Sequence, residues 1–350
     1  MPEQSARPEP SPQARLSQMA TGFILSRLVY TAASLGIADH LAAGPKSAGE
    51  LASPTGCNEV SLARFMRSLT NFGILALGDD GRFSLTPLGE PLRSDAAGSV
   101  RSSIMSMAGQ WCWQTWEAFP STVVTGKPAF DSVFGMPVFD WLGQHPDEAR
   151  LFSATMAAYH GAEPPAIAAA YDFSSCGVIV DVGGATGNLL GHVLAKHPGP
   201  KGVLFDLPQA MTDAPARLQA LGVADRVTIQ AGNAFEAVPP GADVYILSHV
   251  LHDWNEGLCL TLLRNCRAAM TPTSRLLIIE LVLREGNAPG FGSSDMVMMT
   301  LTGGAERTPR EFESLLARAG LTMTRVTPTT TNVSIVEAGM LTVALHPSDD

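Results

Sequence analysis

A short apolar segment followed by clustered glycines constrains the fold of this chain more than any other stretch. Residues 177–182 (Gly-Val-Ile-Val-Asp-Val) are almost wholly apolar and β-branched, which is typical of a strand buried on both faces of a parallel sheet. Gly183, Gly184 and Gly187 come next, and apolar residues at helical spacing follow them. Strand, glycine turn and helix form the opening of a Rossmann-like unit, whose helix start offers free N–H groups to a ligand.

The turn favours a nucleoside attached to a cation over a dinucleotide. Its glycines lack the G-x-G-x-x-G spacing of a dinucleotide site. Asp181, at the strand end, would repel a pyrophosphate but suits an amine or a cation. Asp206 closes the second apolar run, where an acid can accept two hydrogen bonds from a ribose. These residues predict a pocket for S-adenosylmethionine (SAM). The alternative is an ordinary βαβ unit whose acids only cap turns.

Composition excludes several classes of protein. At 350 residues the chain is long enough for about two domains, and 45% hydrophobic with 16% charged residues is typical of a globular protein. The net charge of −10 opposes binding to nucleic acid or to anionic membranes. No apolar run approaches the ~20 residues that span a bilayer. The five cysteines are scattered, without zinc or redox spacing, and no signal peptide precedes them. We therefore expect a cytoplasmic protein without a metal site.

The N-terminal third predicts a small helical module that contacts a second chain. Residues 1–14 are expected to be a disordered tail. The segment 16–41 is helical in pattern and too apolar for one buried stripe, which predicts a homodimer. Two short helices and a hairpin with an Asp-Asp-Gly turn follow, as in a winged helix. Five basic and six acidic residues between positions 45 and 95 favour a structural role over DNA binding.

The rest of the chain predicts a helical segment and then an α/β domain. Residues 99–172 are helical in pattern and rich in aromatic side chains, which serve a core or an apolar ligand site. After the glycine turn, short apolar runs alternate with helical ones. The strand candidates are Val203–Phe205, Val227–Ile229, Val244–Leu247, Leu276–Leu283, Met323–Val326 and Val333–Val343. Thr308 begins a capping box, with Pro309 at the first helical position.

A histidine and two glutamates are expected at the carboxyl ends of the later strands. His252 follows the strand candidate Val244–Leu247, Glu280 lies in the candidate Leu276–Leu283, and Glu306 precedes the capped helix. In an open parallel sheet, these positions share one rim with Asp181 and Asp206. A histidine held by carboxylates can serve as a general base near neutral pH. The alternative is a hydrogen-bonded structural histidine and a turn acid.

The ordered motifs resemble those of the SAM-dependent small-molecule O-methyltransferases, the family of plant caffeate-type and bacterial antibiotic-tailoring enzymes. They are Asp181-Val-Gly-Gly-Ala-Thr-Gly187, Phe205-Asp206-Leu207-Pro208, Leu251-His252-Asp253-Trp254 and Gly304-Ala305-Glu306-Arg307-Thr308. The resemblance covers essentially the whole chain. It implies a Rossmann-like, seven-stranded class I methyltransferase domain (173–350), a winged-helix dimerisation domain (15–98) and a helical connector (99–172) that contributes to the acceptor pocket.

The resemblance also implies a role for each matching residue. His252 would take the proton of a phenol, with Glu280 and Glu306 orienting it. Met156, Asp253 and Met298 would contact an aromatic acceptor. The residues implied to bind SAM are Asp181, Gly183, Gly184, Asp206, Leu207, Asn233, Ala234, Phe235 and Ser248.

Two positions depart from the family pattern. Asn233 stands where the family usually has an aspartate that accepts a bond from the adenine amine, and a neutral acceptor forms the weaker bond. Asn255 replaces a common aspartate after the tryptophan, at an expected helix cap. The implied reaction is transfer of a methyl group from SAM to a hydroxyl of an aromatic or polyketide-like molecule, without a metal. The alternatives are a relative diverged to decarboxylation or hydroxylation, and a winged-helix regulator that senses SAM.

Overall fold

The computed structural model describes residues 11–286 and 292–340, which divide into two compact units. One unit comprises the described residues up to Gln114 together with Leu142–Tyr159. The other comprises Thr115–Trp141 and the described residues from His160 onward. No helix within the described ranges is long and apolar enough to cross a membrane.

The first unit begins with helices and one hairpin. Its first elements are α1 (Pro12–Ala20), α2 (Gly22–Ser34), α3 (Ile37–Leu41), α4 (Ala48–Thr55), α5 (Glu59–Asn71), β1 (Leu75–Leu77) and β2 (Phe83–Leu85). The sequence predicts a disordered tail over residues 1–14. Residues 1–10 lie outside the described residues, and α1 already begins at Pro12, where Ser11 caps it. A proline at the first helical position and a serine cap explain this early start.

The helix–helix–hairpin order predicted for this region is confirmed. Ser47 and Glu50 form a capping box at the start of α4, and Asn58 caps α5. The strands β1 and β2 pair antiparallel, with Leu77 opposite Phe83. Apolar side chains of α2–α5 and of the hairpin form one buried core. The region is thus a mainly helical module with a two-stranded wing.

Short helices continue to residue 170, as the helical pattern predicts. They are α6 (Arg101–Met107), α7 (Gln110–Glu117), α8 (Phe119–Thr125), α9 (Ala129–Phe134), α10 (Val138–Gln144), α11 (Pro146–His160) and α12 (Glu163–Ala170). Glycines at left-handed φ angles end two of them, Gly126 after α8 and Gly135 after α9.

The second unit contains a mixed seven-stranded sheet, as the resemblance implies. Its strands are β3 (Val178–Val182), β4 (Lys201–Asp206), β5 (Val227–Ala231), β6 (Val244–Ser248), β7 (Arg275–Leu281), β8 (Leu321–Pro328) and β9 (Val333–Met340), in the spatial order β5-β4-β3-β6-β7-β9-β8. The first five run parallel, and β9 pairs antiparallel with both β7 and β8. Residues 341–343, expected to extend the last strand, lie outside the described residues.

Helices between the strands cover the sheet. They are α13 (Asn188–Lys196), α14 (Ala214–Ala220), α15 (Glu256–Ala269), α16 (Gly292–Leu301) and α17 (Pro309–Arg318). Asn255 caps α15 as expected, and Thr308 forms the predicted capping box with Glu311. One buried cluster includes α15 and α17, and another includes α12, α13 and α14. Because apolar side chains pack on both faces, the central strands are buried on both sides.

The strand order reverses between β3 and β6, and this fixes where a ligand can bind. The chain moves from β3 to β4 and β5 on one side, then continues with β6 and β7 on the other. In such sheets ligands bind beyond the carboxyl ends of the strands at the reversal. Asp181, Asp206, Ser248 and Glu280 lie at or next to those ends. The predicted shared rim is therefore present.

Candidate active site

The glycine turn after β3 brings backbone close to a buried carboxylate. Gly183 and Gly187 have left-handed φ angles of 74° and 70°, which glycine adopts without a steric penalty. A Cβ on Gly184 would lie 2.5 Å from Oδ2 of Asp181. Asp181 is 1% exposed, and neither of its carboxylate oxygens has a hydrogen-bond partner among the described residues. Burial, with the charge of Asp206, raises the pKa of Asp181 to about 7.

Asp206 holds the conformation of the same turn from the end of β4. Its Oδ2 accepts a hydrogen bond from the backbone N–H of Ala185 at 2.9 Å, and its Oδ1 accepts one from Leu207 at 2.7 Å. Ala185 has a left-handed φ of 47°, which this bond helps to maintain. Each carboxylate oxygen keeps a further lone pair. Asp206 can therefore accept bonds from a ligand while it fixes the turn.

The turn after β5 contains the three residues expected near an adenine. Oδ1 of Asn233 accepts from the backbone N–H of Phe235 at 3.0 Å, and its Nδ2 donates to Oε1 of Glu236 at 3.1 Å. Ala234 between them is half-buried. The ring of Phe235 packs edge-on against Trp254, with centroids 4.9 Å apart. The amide oxygen of Asn233 is thus partly engaged, and only its second lone pair can accept from a ligand.

Two glutamates hold His252 in different ways. The Nδ1 atom of His252 lies 3.3 Å from Oε1 of Glu306, while its backbone N–H donates to Oε1 of Glu280 at 3.0 Å. Its Nε2 lies 3.8 Å from Oδ1 of Asp253, beyond hydrogen-bond distance. With its proton on Nδ1, facing Glu306, the neutral ring carries its lone pair on Nε2. Of the two expected orienting carboxylates, Glu306 contacts the ring and Glu280 fixes the main chain.

This buried cluster shifts the pKa values of its members. Burial lowers the pKa of His252, but the hydrogen bond to Glu306 and the charges of Asp253 and Glu280 outweigh burial and raise the pKa to about 9. Burial raises the pKa of Glu280 to about 7 and that of Asp253 to about 6. Burial also acts to raise the pKa of Glu306, yet the bond to His252 holds it below its usual value. The carboxylates thus stabilise the protonated imidazole.

The loop before α17 packs closely against the backbone of His252. The N–H of Ala305 donates to the carbonyl oxygen of His252 at 3.0 Å. A Cβ on Gly304 would lie 1.8 Å from that same oxygen, so a side chain cannot fit there. The guanidinium of Arg307 donates to the carbonyl oxygen of Leu251 at 3.1 Å. Because Glu306 lies between these contacts, the loop sets the position of its carboxylate relative to the imidazole.

Helix α16 carries both a predicted acceptor contact and the partners of Glu306. Met298 is half-buried on this helix. The hydroxyl of Ser294 donates to Oε1 of Glu306 at 2.8 Å, and the N–H of Glu306 donates to Oδ1 of Asp295 at 2.9 Å. Met156 lies on α11 in the other unit, so its predicted contact with an acceptor stays a prediction.

A second cluster of ionisable side chains joins the turn between α11 and α12 to the end of β6. Nδ1 of His160 lies 3.1 Å from both carboxylate oxygens of Glu163, and Nε2 of His249 lies 2.7 Å from Oε2. The two imidazole centroids are 3.9 Å apart, with the rings tilted by 42°. His249 has a left-handed φ of 53°, an uncommon conformation for a residue other than glycine.

The carboxylate of this cluster stays ionised. Burial acts to raise the pKa of Glu163, but hydrogen bonds from His160 and His249 outweigh burial and lower the pKa to about 2. Burial lowers the pKa of His249. Sequence analysis missed this cluster because His249 lies 86 residues after Glu163. The three-residue spacing of His160 and Glu163 was the one local signal, and it does not by itself indicate a site.

Comparison with protein families and known proteins gives a consistent result over nearly the whole chain. Residues 17–95 match the O-methyltransferase dimerisation domain, and residues 116–322 match the O-methyltransferase domain. The chain is 41% identical over 324 residues to the phenazine O-methyltransferase PhzM of Lysobacter antibioticus, covering 92% of this chain and 95% of that protein.

Solved structures agree with these matches. The mitomycin 7-O-methyltransferase MmcR superposes with a TM-score of 0.89 at 35% identity, covering 94% of this chain and 97% of that one. The O-methyltransferase NcsB1 from neocarzinostatin biosynthesis, solved with SAM and 2-hydroxy-5-methyl naphthoic acid, superposes with a TM-score of 0.84 at 33% identity. That alignment covers 96% of this chain and 100% of that one.

Proposed function

Because the chain belongs to the O-methyltransferase family, we propose that it transfers a methyl group from SAM to a phenolic hydroxyl of an aromatic small molecule, with His252 as the general base. The observation that carries the proposal is the hydrogen-bonded pair of His252 and Glu306, which leaves Nε2 of the imidazole available. His252 follows β6, and the glycine turn follows the neighbouring parallel strand β3, so both lie at the carboxyl ends of adjacent strands. The proposed proton acceptor, His252, and the glycine turn proposed to bind the cofactor thus lie at the same end of the sheet.

The residues of the rim fit SAM. The carboxylate of Asp181 is buried without a partner among the described residues, and a cation nearby would favour its ionised form. The backbone of Gly183 and Gly184 would line the methionine end, where a side chain at 184 would collide with Asp181. Asp206 has lone pairs left for the two ribose hydroxyls. The further contacts are Leu207 beside the ribose, Asn233, Ala234 and Phe235 at the adenine, and Ser248 at the end of β6.

The protein's own part in the chemistry is to align the acceptor and to remove its proton. When bound, SAM supplies a methyl group that its sulfonium makes electrophilic. A free phenol has a pKa of about 10, so little of it is ionised at neutral pH. Nε2 of His252 would take the phenol proton, and the carboxylate of Glu306 would stabilise the imidazolium that forms. Alignment of the acceptor oxygen at about 3 Å supplies much of the remaining acceleration.

The acceptor is proposed to bind against methionine and aromatic side chains. Asp253 follows His252 in sequence, and Met298 lies on α16, the helix whose Ser294 bonds Glu306. Met156 is assigned by family position. Thioether side chains adapt to flat, apolar ligands. We assign residues 15–98 to dimerisation, 99–172 to a connector that contributes to the acceptor site, and 173–350 to SAM binding.

A homodimer through the N-terminal module is part of the proposal. The match to a dimerisation domain supports it, as does a row of exposed apolar side chains on α1 and α2. Leu16 is 67% exposed, Met19 69% and Phe23 53%. An apolar groove of the same unit is lined by Leu25, Val29, Phe72 and Leu88. Apolar surface of this kind is typical of a face that a second copy covers.

The test is to incubate the protein with methyl-labelled SAM and a panel of hydroxylated aromatic acids, naphthoates and phenazines. We expect a product that gains one labelled methyl group on oxygen. A product that loses carbon dioxide or gains oxygen would place the chain among diverged members of the family. SAM binding with no product from any acceptor, together with specific retention of promoter DNA, would favour the regulator instead.

A further inference from the structure

We propose that His160, Glu163 and His249 form a binding site for one divalent transition-metal ion, with zinc as the best fit. One donor atom from each residue lies within 4.8 Å of the other two. Two imidazoles and one carboxylate are a ligand set that zinc uses in proteins, with water completing the coordination. The site adjoins the His252–Glu306 pair, since the rings of His249 and His252 have centroids 5.3 Å apart, but it shares no ligand with that pair and does not depend on the proposed methyl transfer.

The two separations between the carboxylate and the imidazole nitrogens are close to those that zinc requires. Zinc bonds nitrogen at about 2.0–2.1 Å and carboxylate oxygen at about 2.0–2.2 Å, so its ligand atoms lie about 3.3 Å apart in a tetrahedral site. Oε2 of Glu163 lies 3.1 Å from Nδ1 of His160 and 2.7 Å from Nε2 of His249. The two imidazole nitrogens lie within 4.8 Å of each other, so both rings could close on one ion beside the carboxylate oxygen.

Charge and access also suit a cation. The carboxylate of Glu163 is 10% exposed and faces two imidazoles, so the cluster carries one net negative charge when both rings are neutral. The imidazole of His160 is 33% exposed, which leaves an approach for the ion and room for water ligands. His249 is buried further, at 19%; its Nδ1 has no partner among the described residues, and the contact of its Nε2 with Glu163 orients the ring.

Two chain segments bring the three side chains together, and one of the three residues has an uncommon backbone conformation. His160 ends α11 and Glu163 begins α12, which places them three residues apart across one turn. His249 follows β6 and meets them with a left-handed φ of 53°, an uncommon conformation for a residue other than glycine. A bound ion would link the turn between α11 and α12 to the end of β6.

The experiment is calorimetric titration of the full chain, freed of any histidine tag, with zinc chloride alone. We expect one equivalent of zinc per chain. Affinity should fall at least tenfold in His160→Gln and in Glu163→Gln. His192→Gln is the matched control, because within the described residues the ring of His192 bonds only to the carbonyl of Asn188 in the same helix. It should bind zinc as the unaltered chain does. Cobalt substitution should give an absorption spectrum of tetrahedral or five-coordinate type in the unaltered chain.

Three results would overturn the proposal. They are no binding at millimolar zinc, equal affinity in all variants, and affinity lost in His252→Gln but kept in Glu163→Gln, which would place the ion on the base instead. Melting temperatures without metal show whether each variant folds. His160 is half-buried and more exposed than Glu163, so His160→Gln keeps the test valid if Glu163→Gln does not fold.

Discussion

Replacing His252 by glutamine removes the proton acceptor and keeps a polar side chain. We expect His252→Gln to lower turnover by about 10²–10⁴-fold, the usual contribution of a positioned base. SAM affinity should not change, because Nε2 faces away from Glu306 and is assigned to the acceptor. The loss should shrink for acceptors with more acidic phenols, since these ionise without help.

The measurement is rate against acceptor pKa for both proteins, with calorimetry for SAM and melting temperatures alongside. Parallel lines for His252→Gln and the unaltered protein would show that His252 is not the base. His192→Gln serves again as the control for a general effect of losing an imidazole, and its rates should match those of the unaltered protein.

The raised pKa of His252 gives a pH dependence with a definite sign. Since the folded protein holds this pKa at about 9, the imidazole is mostly protonated at pH 7, and only the neutral form accepts a proton. The value of kcat/KM for the acceptor, at saturating SAM, should therefore rise from pH 7 to 9 and level off above that. Glu306→Gln removes the charge that stabilises the imidazolium, so its rise should occur at lower pH. An unshifted profile for Glu306→Gln would argue against this electrostatic coupling.

Asp206 combines a ligand role with a structural one, and two substitutions separate them. Asp206→Ala should weaken SAM binding by about 10²-fold or more, because it removes two charge-assisted bonds of about 1.5–3 kcal/mol each. Asp206→Asn keeps an acceptor for the N–H of Ala185 and should lose less. Calorimetry measures both. Unchanged SAM affinity in Asp206→Ala would remove this residue from the cofactor site.

Among the elements, the loop from Gly304 to Arg307 decides where Glu306 meets the imidazole. Gly304→Ala places a methyl group 1.8 Å from the carbonyl oxygen of His252, so loop and base must separate. We expect a destabilisation of about 1–3 kcal/mol with a loss of turnover larger than the loss of SAM affinity. Gly143→Ala is the matched control, since a Cβ there meets nothing within 4 Å. This variant should leave turnover and SAM affinity unchanged. Chemical denaturation and kinetics provide the comparison, and wild-type turnover in Gly304→Ala would show that the contact is dispensable.

Local patterns account for the elements that sequence analysis predicted. The strand before the glycine turn, the wing hairpin and the cap at Thr308 each depend on residues within about ten positions of one another. Sequence also placed His252 and Glu280 on one rim, because parallel strands end at the same edge. It could not say that Glu280 bonds the backbone while Glu306 bonds the ring, since that depends on packing. The cluster around Glu163 depends on chain segments that meet only in the folded protein.

At the scale of the whole molecule, the N-terminal module should hold two chains together. We expect a homodimer at micromolar concentration by light scattering. Phe23→Glu places a charge on the exposed apolar face and should give a monomer with an unchanged helical spectrum. The control is Val124→Glu, whose native side chain is 84% exposed on α8, outside the matched dimerisation domain. A monomeric native protein, or a dimer that persists in Phe23→Glu, would contradict this assignment.

The proposed cofactor contacts and the proposed acceptor contact on α16 come from different elements, which has a consequence for how acceptor specificity can evolve. The proposed SAM contacts come from the glycine turn and the ends of β4, β5 and β6, whereas Met298 and the partners of Glu306 come from α16. Substitutions around Met298, on the side of α16 that we propose to face the acceptor, leave every proposed cofactor contact in place if they spare Ser294 and Asp295. Acceptor scope can thus diversify by mutation of one helix at constant SAM affinity, and directed evolution for new acceptors should accumulate its substitutions there.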